Sequence, residues 1–203
     1  MKLYYSPGAC SLSPHIVLNE AGLAFDAESV DLTKKRTRFG TDYKAINPKG
    51  AVPALQLDNG QVLTEGSAIV QYIADQKPAA KLAPAAGTLE RYRLQEWLNY
   101  IASEIHKGFS PMFNPKATDE WKQVIKDNLA AKFDYLSKQL QGKDYLMGTF
   151  SVADAYLFTI LGWTKYFNID LAKWPVLAKY MERVGARPAV KVALEAEAKD
   201  KSA

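Results

Sequence analysis

The sequence predicts an α/β domain with elements in the order βαβ, helix, ββα, followed by a domain made only of helices. Three observations predict it. Short runs rich in β-branched and aromatic residues alternate with helix-like segments over the first third of the chain. A segment with two prolines and little periodicity, QKPAAKLAPAAG, follows them. Beyond it apolar residues recur at helical spacing, as at Leu94, Leu98, Ile101 and Ile105. The expected division is an α/β domain over 1–78, a linker over 79–87 and an all-helical domain over 88–203.

Lys2 to Tyr5 reads as a strand stopped by Ser6-Pro7-Gly8, and a helix follows with Ser11 or Ser13 as cap and Gly22 as its stop. Phe25 to Leu32 returns as a strand, so the first two strands should be parallel. A basic loop, Lys34 to Arg38, leads to a short helix before Asn47-Pro48. Ala51 to Leu57 reads as a strand interrupted by Pro53, which marks an edge, a bulge or a special turn. Asn59-Gly60 favours a type I′ hairpin into Val62-Leu63-Thr64, and Glu65-Gly66-Ser67 opens a helix. The result is a mixed four-stranded sheet. In the second domain a long helix is expected from Asp119 to Gln141, and Ser151 to Asp154 resembles a capping box.

The chain has 203 residues, 48% of them hydrophobic and 24% charged, ordinary values for a protein with a buried core. Its net charge of +4 is unaccompanied by a basic run interleaved with aromatics, so a nucleic-acid reader is not indicated. The lone cysteine, Cys10, excludes an intramolecular disulfide and argues for a reducing, cytoplasmic compartment. No apolar segment is long enough to span a membrane, and two histidines do not make a metal cluster.

Cys10 stands where a strand meets a helix, and the amides and helix dipole there would ease loss of a thiol proton. The alternative is an ordinary buried small residue. Cys10 to Ser13 places serine where a dithiol motif has its second cysteine. Val52-Pro53 invites a cis peptide, whose outward N–H and C=O could pair with an extended peptide; the alternative is a trans proline at a strand end. Glu65 with the amides of Gly66 and Ser67 matches both charges of an α-amino acid, or simply caps a helix. Lys35 in the basic loop suits a second carboxylate. Asn99, Ser103 and His106 form a polar stripe at helical spacing, which ordinarily faces water but, directly after the linker, could face the cleft; His15 reads as a structural residue.

Taken in order, the segments MKLYYSPGACSLSPHIVLNEAGL, NPKGAVPALQLDNG and LTEGSAIVQYIAD resemble the glutathione-site segments of the glutathione S-transferase family. Cys10 followed by His106 in EWLNYIASEIHKGFSP resembles the bacterial beta class, and FSVADAYLF is similar to the capping segment of the family's helical domain. The resemblance implies a thioredoxin-like first domain, a homodimer, and glutathione as co-substrate for attack on a small electrophile, apolar and in some cases halogenated or aromatic. It implies that the Val52 backbone pairs with the cysteinyl part of glutathione, that Pro53 is cis, and that Glu65, Gly66 and Ser67 hold the γ-glutamyl end. Lys35 would hold the glycyl carboxylate, Cys10 would lie beside the glutathione sulfur, and His106 would stand near the thiol as a hydrogen-bond donor or proton carrier. Asn99, with Ser103 on the same stripe, would reach toward glutathione across the dimer. Gly66 departs from the Glu-Ser pair of many relatives. Ser11 and Tyr5 rival Cys10 for activating the thiol, with Tyr5 ranked last. Phe109, Phe113, Tyr156, Trp163, Tyr166 and Phe167 are candidates for the second-substrate wall. Two other readings are thiol–disulfide, peroxide or dehalogenation chemistry through a covalent Cys10, and a non-catalytic glutathione-binding scaffold.

Overall fold

A computed structural model describes residues 1–201. The chain divides into two compact units, residues 1–83 with 186–203, and residues 84–185. The last helix therefore belongs with the first unit, whereas the sequence expectation put all of 88–203 in one helical domain.

In the first unit, β1 (Lys2–Tyr5), β2 (Asp26–Asp31), β3 (Arg36–Thr37), β4 (Ala54–Gln56) and β5 (Val62–Thr64) form one sheet in the order β3-β2-β1-β4-β5. β1 runs parallel to β2 with Leu3 opposite Ala27, and antiparallel to β4 with Leu3 opposite Leu55. The sheet thus has five strands rather than the four expected. The added strand, β3, lies inside the basic loop, where Val30 pairs with Thr37. Two residues are too few to show a strand period in sequence.

Helix α1 (Leu12–Ala21) ends at Gly22, which takes φ 62° and donates back to Asn19 and Leu18 carbonyls. That left-handed stop is the one the sequence indicated. The expected serine cap is absent, because Ser11 is already helical and its hydroxyl makes no cap bond. α2 (Tyr43–Ile46) is a single turn capped by Asp42. The Asn59-Gly60 turn is wider than type I′. Leu57 N–H donates to Gln61 C=O at 2.8 Å across a three-residue loop. Only Gly60 of that loop has positive φ, the geometry of a turn closed by one left-handed residue. α3 (Gly66–Gln76) packs Ile69, Val70 and Ile73 fully buried beneath the sheet unit's core. α9 (Pro188–Lys201) lies against α1.

In the second unit, α4 (Leu89–Tyr100) runs into a π-helical turn, Ile101–His106, and a short α5 (Lys107–Phe109). α6 (Asp119–Leu140) buries Ile125, Leu129, Phe133, Leu136 and Leu140, one stripe at helical spacing. α7 (Val152–Leu161) is buried at every one of its 10 residues and forms the middle of the unit, with α8 (Pro175–Gly185) beside it. The predicted capping box is present: Asp154 accepts from the Ser151 N–H at 2.9 Å and the Ser151 hydroxyl at 3.0 Å. No helix among the described residues is long and apolar enough to cross a membrane.

Candidate functional site

The chemistry of the first unit gathers around the chain between Asn47 and Pro53. The Val52–Pro53 peptide is cis. The turn before it is tied down by side chains: Asn47 Nδ2 and the Tyr43 hydroxyl both donate to Ala51 C=O, at 2.7 and 2.9 Å. Lys35 Nζ donates to Gly50 C=O at 2.8 Å and lies along that glycine, 3.4 Å from where a Cβ would stand. Lys35 itself has φ 54°, so the backbone turns there to bring the cation over the Gly50 turn.

Cys10 comes from the other side. Its thiol donates to Val52 C=O at 3.2 Å, so the predicted nucleophile and the predicted peptide-pairing residue are in contact. On the far flank of Pro53, Gly66 opens α3, and a Cβ at Gly66 would meet Pro53 at 3.9 Å, an ordinary contact. The first two amides of α3, of Gly66 and Ser67, precede the Ala68 and Ile69 N–H groups that bond the Glu65 carbonyl. They stand at the positive end of the helix dipole. Glu65 has φ 71° and an exposed carboxylate that pairs with Lys49. One rim thus carries a thiol, a backbone carbonyl, two helix-end amides, a carboxylate and two lysines.

The expected activation of Cys10 is reversed. Burial is the largest influence on the thiol and raises its pKa to about 11, outweighing the Cys10 and Ser11 amides that lower it. A helix terminus stabilises an anion by about 1 kcal/mol, and desolvation of a buried group is worth more. Cys10 is therefore a thiol at neutral pH. Ser11 is not a rival activator, for it is fully buried and its hydroxyl is used twice on Ser6, accepting from its N–H and donating to its C=O. Tyr5 is not one either. Its hydroxyl donates to Asp200 of α9, and burial holds its pKa far above the ordinary tyrosine value.

His15, expected to be structural, is buried, with Nδ1 3.1 Å from Glu197 Oε1. Tyr43, Asn47 and Lys49 are site-shaping residues that sequence reading missed. Asn47-Pro48-Lys49-Gly50 reads as a loop, and only the folded chain brings those side chains back onto residues 51–65.

In the second unit the polar stripe is broken. Asn99 and Ser103 are exposed, and the Ser103 hydroxyl donates to Asn99 C=O at 2.9 Å. His106 is instead turned in among aromatic rings, with Nδ1 2.7 Å from the Tyr156 hydroxyl and Trp163 edge-on at 5.0 Å. The π-helical turn explains the break. It inserts a residue relative to α-helical spacing and rotates the residues after it by about 100°, one residue's step in an α-helix. Lys132 of α6 donates to the Glu104 carbonyl inside that turn at 2.8 Å, giving it a side-chain partner. Of the aromatic candidates, Phe109, Tyr156 and Trp163 are core, while Phe113 and Tyr166 are exposed and Phe167 partly so.

Burial first, and then the Lys107 charge, lower His106 to about 4 from 6.5. It is neutral at physiological pH. Since the folded value lies below the unfolded one, the unfolded chain protonates first as pH falls. Stability from this group is complete above pH 6.5 and is lost on descent toward pH 4. With partial exposure discounted, the loss is about 1 to 3 kcal/mol. Urea unfolding at pH 7 and pH 4 should show that difference in wild type and lack it in His106→Gln; equal pH dependence in both would refute it.

Residues 8–76 match the family "Glutathione S-transferase, N-terminal domain", and residues 100–188 match "Glutathione S-transferase, C-terminal domain". The chain belongs to the glutathione S-transferase family. It is 48% identical over 198 residues to glutathione S-transferase GstA of Escherichia coli O157:H7, covering 97% of this chain and 98% of that protein. A sphingomonad glutathione S-transferase solved in complex with glutathione is 50% identical with a TM-score of 0.95, over 98% of this chain and 99% of that one. A bacterial beta class glutathione S-transferase of Sphingomonas chungbukensis is 50% identical with a TM-score of 0.94, over 97% and 98%. The beta class resemblance read from Cys10 and His106 agrees with these structures. As in other glutathione S-transferases, a thioredoxin-like domain with a mixed sheet precedes the helices.

Proposed function

We propose that this transferase lays glutathione along the 49–53 rim and uses the glutathione thiolate to attack an electrophilic carbon. The observation that carries the reading is the Cys10 contact with Val52 C=O, flanked by the start of α3 on one side and Lys35 on the other. An extended tripeptide suits that order of groups. The Val52 backbone pairs with the cysteinyl residue, as a strand edge pairs with an added strand. The Gly66 and Ser67 amides take the γ-glutamyl carboxylate, Glu65 takes its ammonium, and Lys35 takes the glycyl carboxylate.

When a ligand N–H takes the Val52 carbonyl, the Cys10 S–H is released and can donate to the ligand sulfur. A thiol donor, held neutral by burial, favours the bound thiolate without competing for its proton. The glutathione thiol proton goes to solvent. The sulfur then forms a bond to carbon while the leaving group departs with its electron pair, and proximity of the two reactants supplies much of the rate. A covalent role for Cys10 is not favoured, because a thiol with pKa near 11 is a poor nucleophile at neutral pH. His106, neutral at physiological pH, serves as a hydrogen-bonding group rather than as a proton carrier. Phe113 and Tyr166 offer exposed ring surface in the same unit for an apolar second substrate.

Two copies associate in this reading, with the exposed Asn99 and Ser103 available to the partner's glutathione, and the lone thiol fits a cytoplasmic setting. Light scattering in line with size exclusion separates one copy from two. The decisive experiment is calorimetric titration of glutathione into wild type and Glu65→Ala. Binding in the micromolar to millimolar range, weakened about tenfold to a hundredfold in the variant, is expected. No binding to wild type at millimolar glutathione would sink the reading.

A further inference from the structure

The geometry points to Glu197, on the chain's last helix, as a positioning residue that sets the Cys10 loop against Val52. Residues 6–11 connect β1 to α1 and are closed by Ala9 N–H to Ser6 C=O at 3.0 Å and by the Ser11–Ser6 pair of bonds. The middle of the loop is held from outside. Gly8, at φ 78°, turns its N–H to Glu197 Oε2 at 2.9 Å. The other oxygen, Oε1, meets His15 of α1. Glu197 is 3% exposed and His15 also 3%. One buried carboxylate therefore bridges the loop and the helix on either side of Cys10.

A buried carboxylate loses several kcal/mol of hydration and is tolerated only where its bonds replace water. These bonds replace it with the loop amide and the imidazole. The groups facing Glu197 are His15 and Gly8, with Tyr5 of β1 beside His15 at 5.4 Å between rings and Asp200 one helical turn on. α9 is fastened separately at its start, where Arg187 makes two bonds to Glu20 of α1 at 2.6 and 2.8 Å. Anchoring of the helix and setting of the loop can thus be separated by mutation. Glu197 also raises the Cys10 pKa through its charge, so its loss acts on the thiol in one direction, toward greater reactivity.

The meaning for catalysis rests on the glutathione reading, but the test does not need glutathione. Iodoacetamide alkylation of Cys10 is followed from pH 7 to 10 in wild type, Glu197→Ala, Glu197→Gln and Arg187→Ala, with thermal melts alongside. Glu197→Ala should raise the rate at pH 8 about fivefold or more, because the loop loosens and the thiol is hydrated. Glu197→Gln keeps an acceptor for Gly8 and offers His15 an amide donor in place of an acceptor, which the imidazole meets by changing tautomer, and it should stay within about twofold of wild type. Arg187→Ala should lower the melting temperature yet leave the alkylation profile unchanged. If Glu197→Ala does not fold, Glu197→Asp, one methylene short of Gly8, should show the same rise. Unchanged alkylation in Glu197→Ala or Glu197→Asp, or an equal rise in Arg187→Ala, would overturn the assignment.

Discussion

Asp154→Ala is expected to destabilise the helical unit by about 3 to 5 kcal/mol, the range for removing one member of a buried charged network. The carboxylate is fully buried and accepts four bonds: from the N–H and hydroxyl of Ser151, from Leu146 N–H at 2.9 Å and from the Tyr180 hydroxyl at 3.1 Å. Alanine leaves those donors facing a cavity. For a chain of this size the melting temperature should fall by about 6 to 20 °C. Burial raises the Asp154 pKa, though all four bonds oppose the rise. Ionisation of this carboxyl therefore opposes folding as pH climbs through its raised value, and the donors are what make the charge tolerable. Asp154→Asn, which turns a donor toward donors, should recover only part of the loss. Chemical denaturation of the three proteins measures it, and a cost below about 1 kcal/mol for alanine would show that the network is not carrying the cap.

Cys10 should be a slow nucleophile in the free protein, the opposite of what its place at a strand–helix junction suggests. A pKa of about 11 instead of 9.0 leaves about a hundredfold less thiolate at neutral pH. Higher basicity makes each thiolate more nucleophilic and returns about tenfold of that. Net alkylation should run about tenfold slower than for a small thiol of ordinary pKa, and should climb steadily up to pH 10 with no plateau near 7. A plateau at or below pH 8 would mean the helix-end amides outweigh burial. Conjugation should then outlast Cys10→Ala better than disulfide exchange does.

Much of this was legible in the chain. The β-rich runs, Gly22 as a helix stop, Pro53 as a special position and the Ser151–Asp154 cap all declared themselves through local rules of backbone freedom and hydrogen bonding. The rim residues Cys10, Val52, Glu65 and Lys35 could be named because each had a local reason to be there, and their order resembled one family. Other features depended on partners remote in sequence. β3 is two residues held by pairing with β2. The Asn47 and Tyr43 side chains acquire their role only where they meet Ala51. The polar stripe at Asn99 and Ser103 was read with α-helical spacing, and a π-helical turn moved His106 off it.

The sequence by itself determined the order of the main elements apart from β3 and the π-helical turn, because these follow from local conformational preference and residue type, while the family showed in the resemblance of whole segments. The tertiary structure alone decided the ionisation of Cys10 and His106 and the partners that hold the site's side chains. Cys10 is a thiol because of the atoms that cover it, and His106 is neutral because aromatic rings surround it. Ser11 and Tyr5 are structural because Ser6 and Asp200 occupy their hydroxyls. Desolvation and hydrogen bonding depend on which atoms surround a group in space, and that arrangement exists only once the chain is folded.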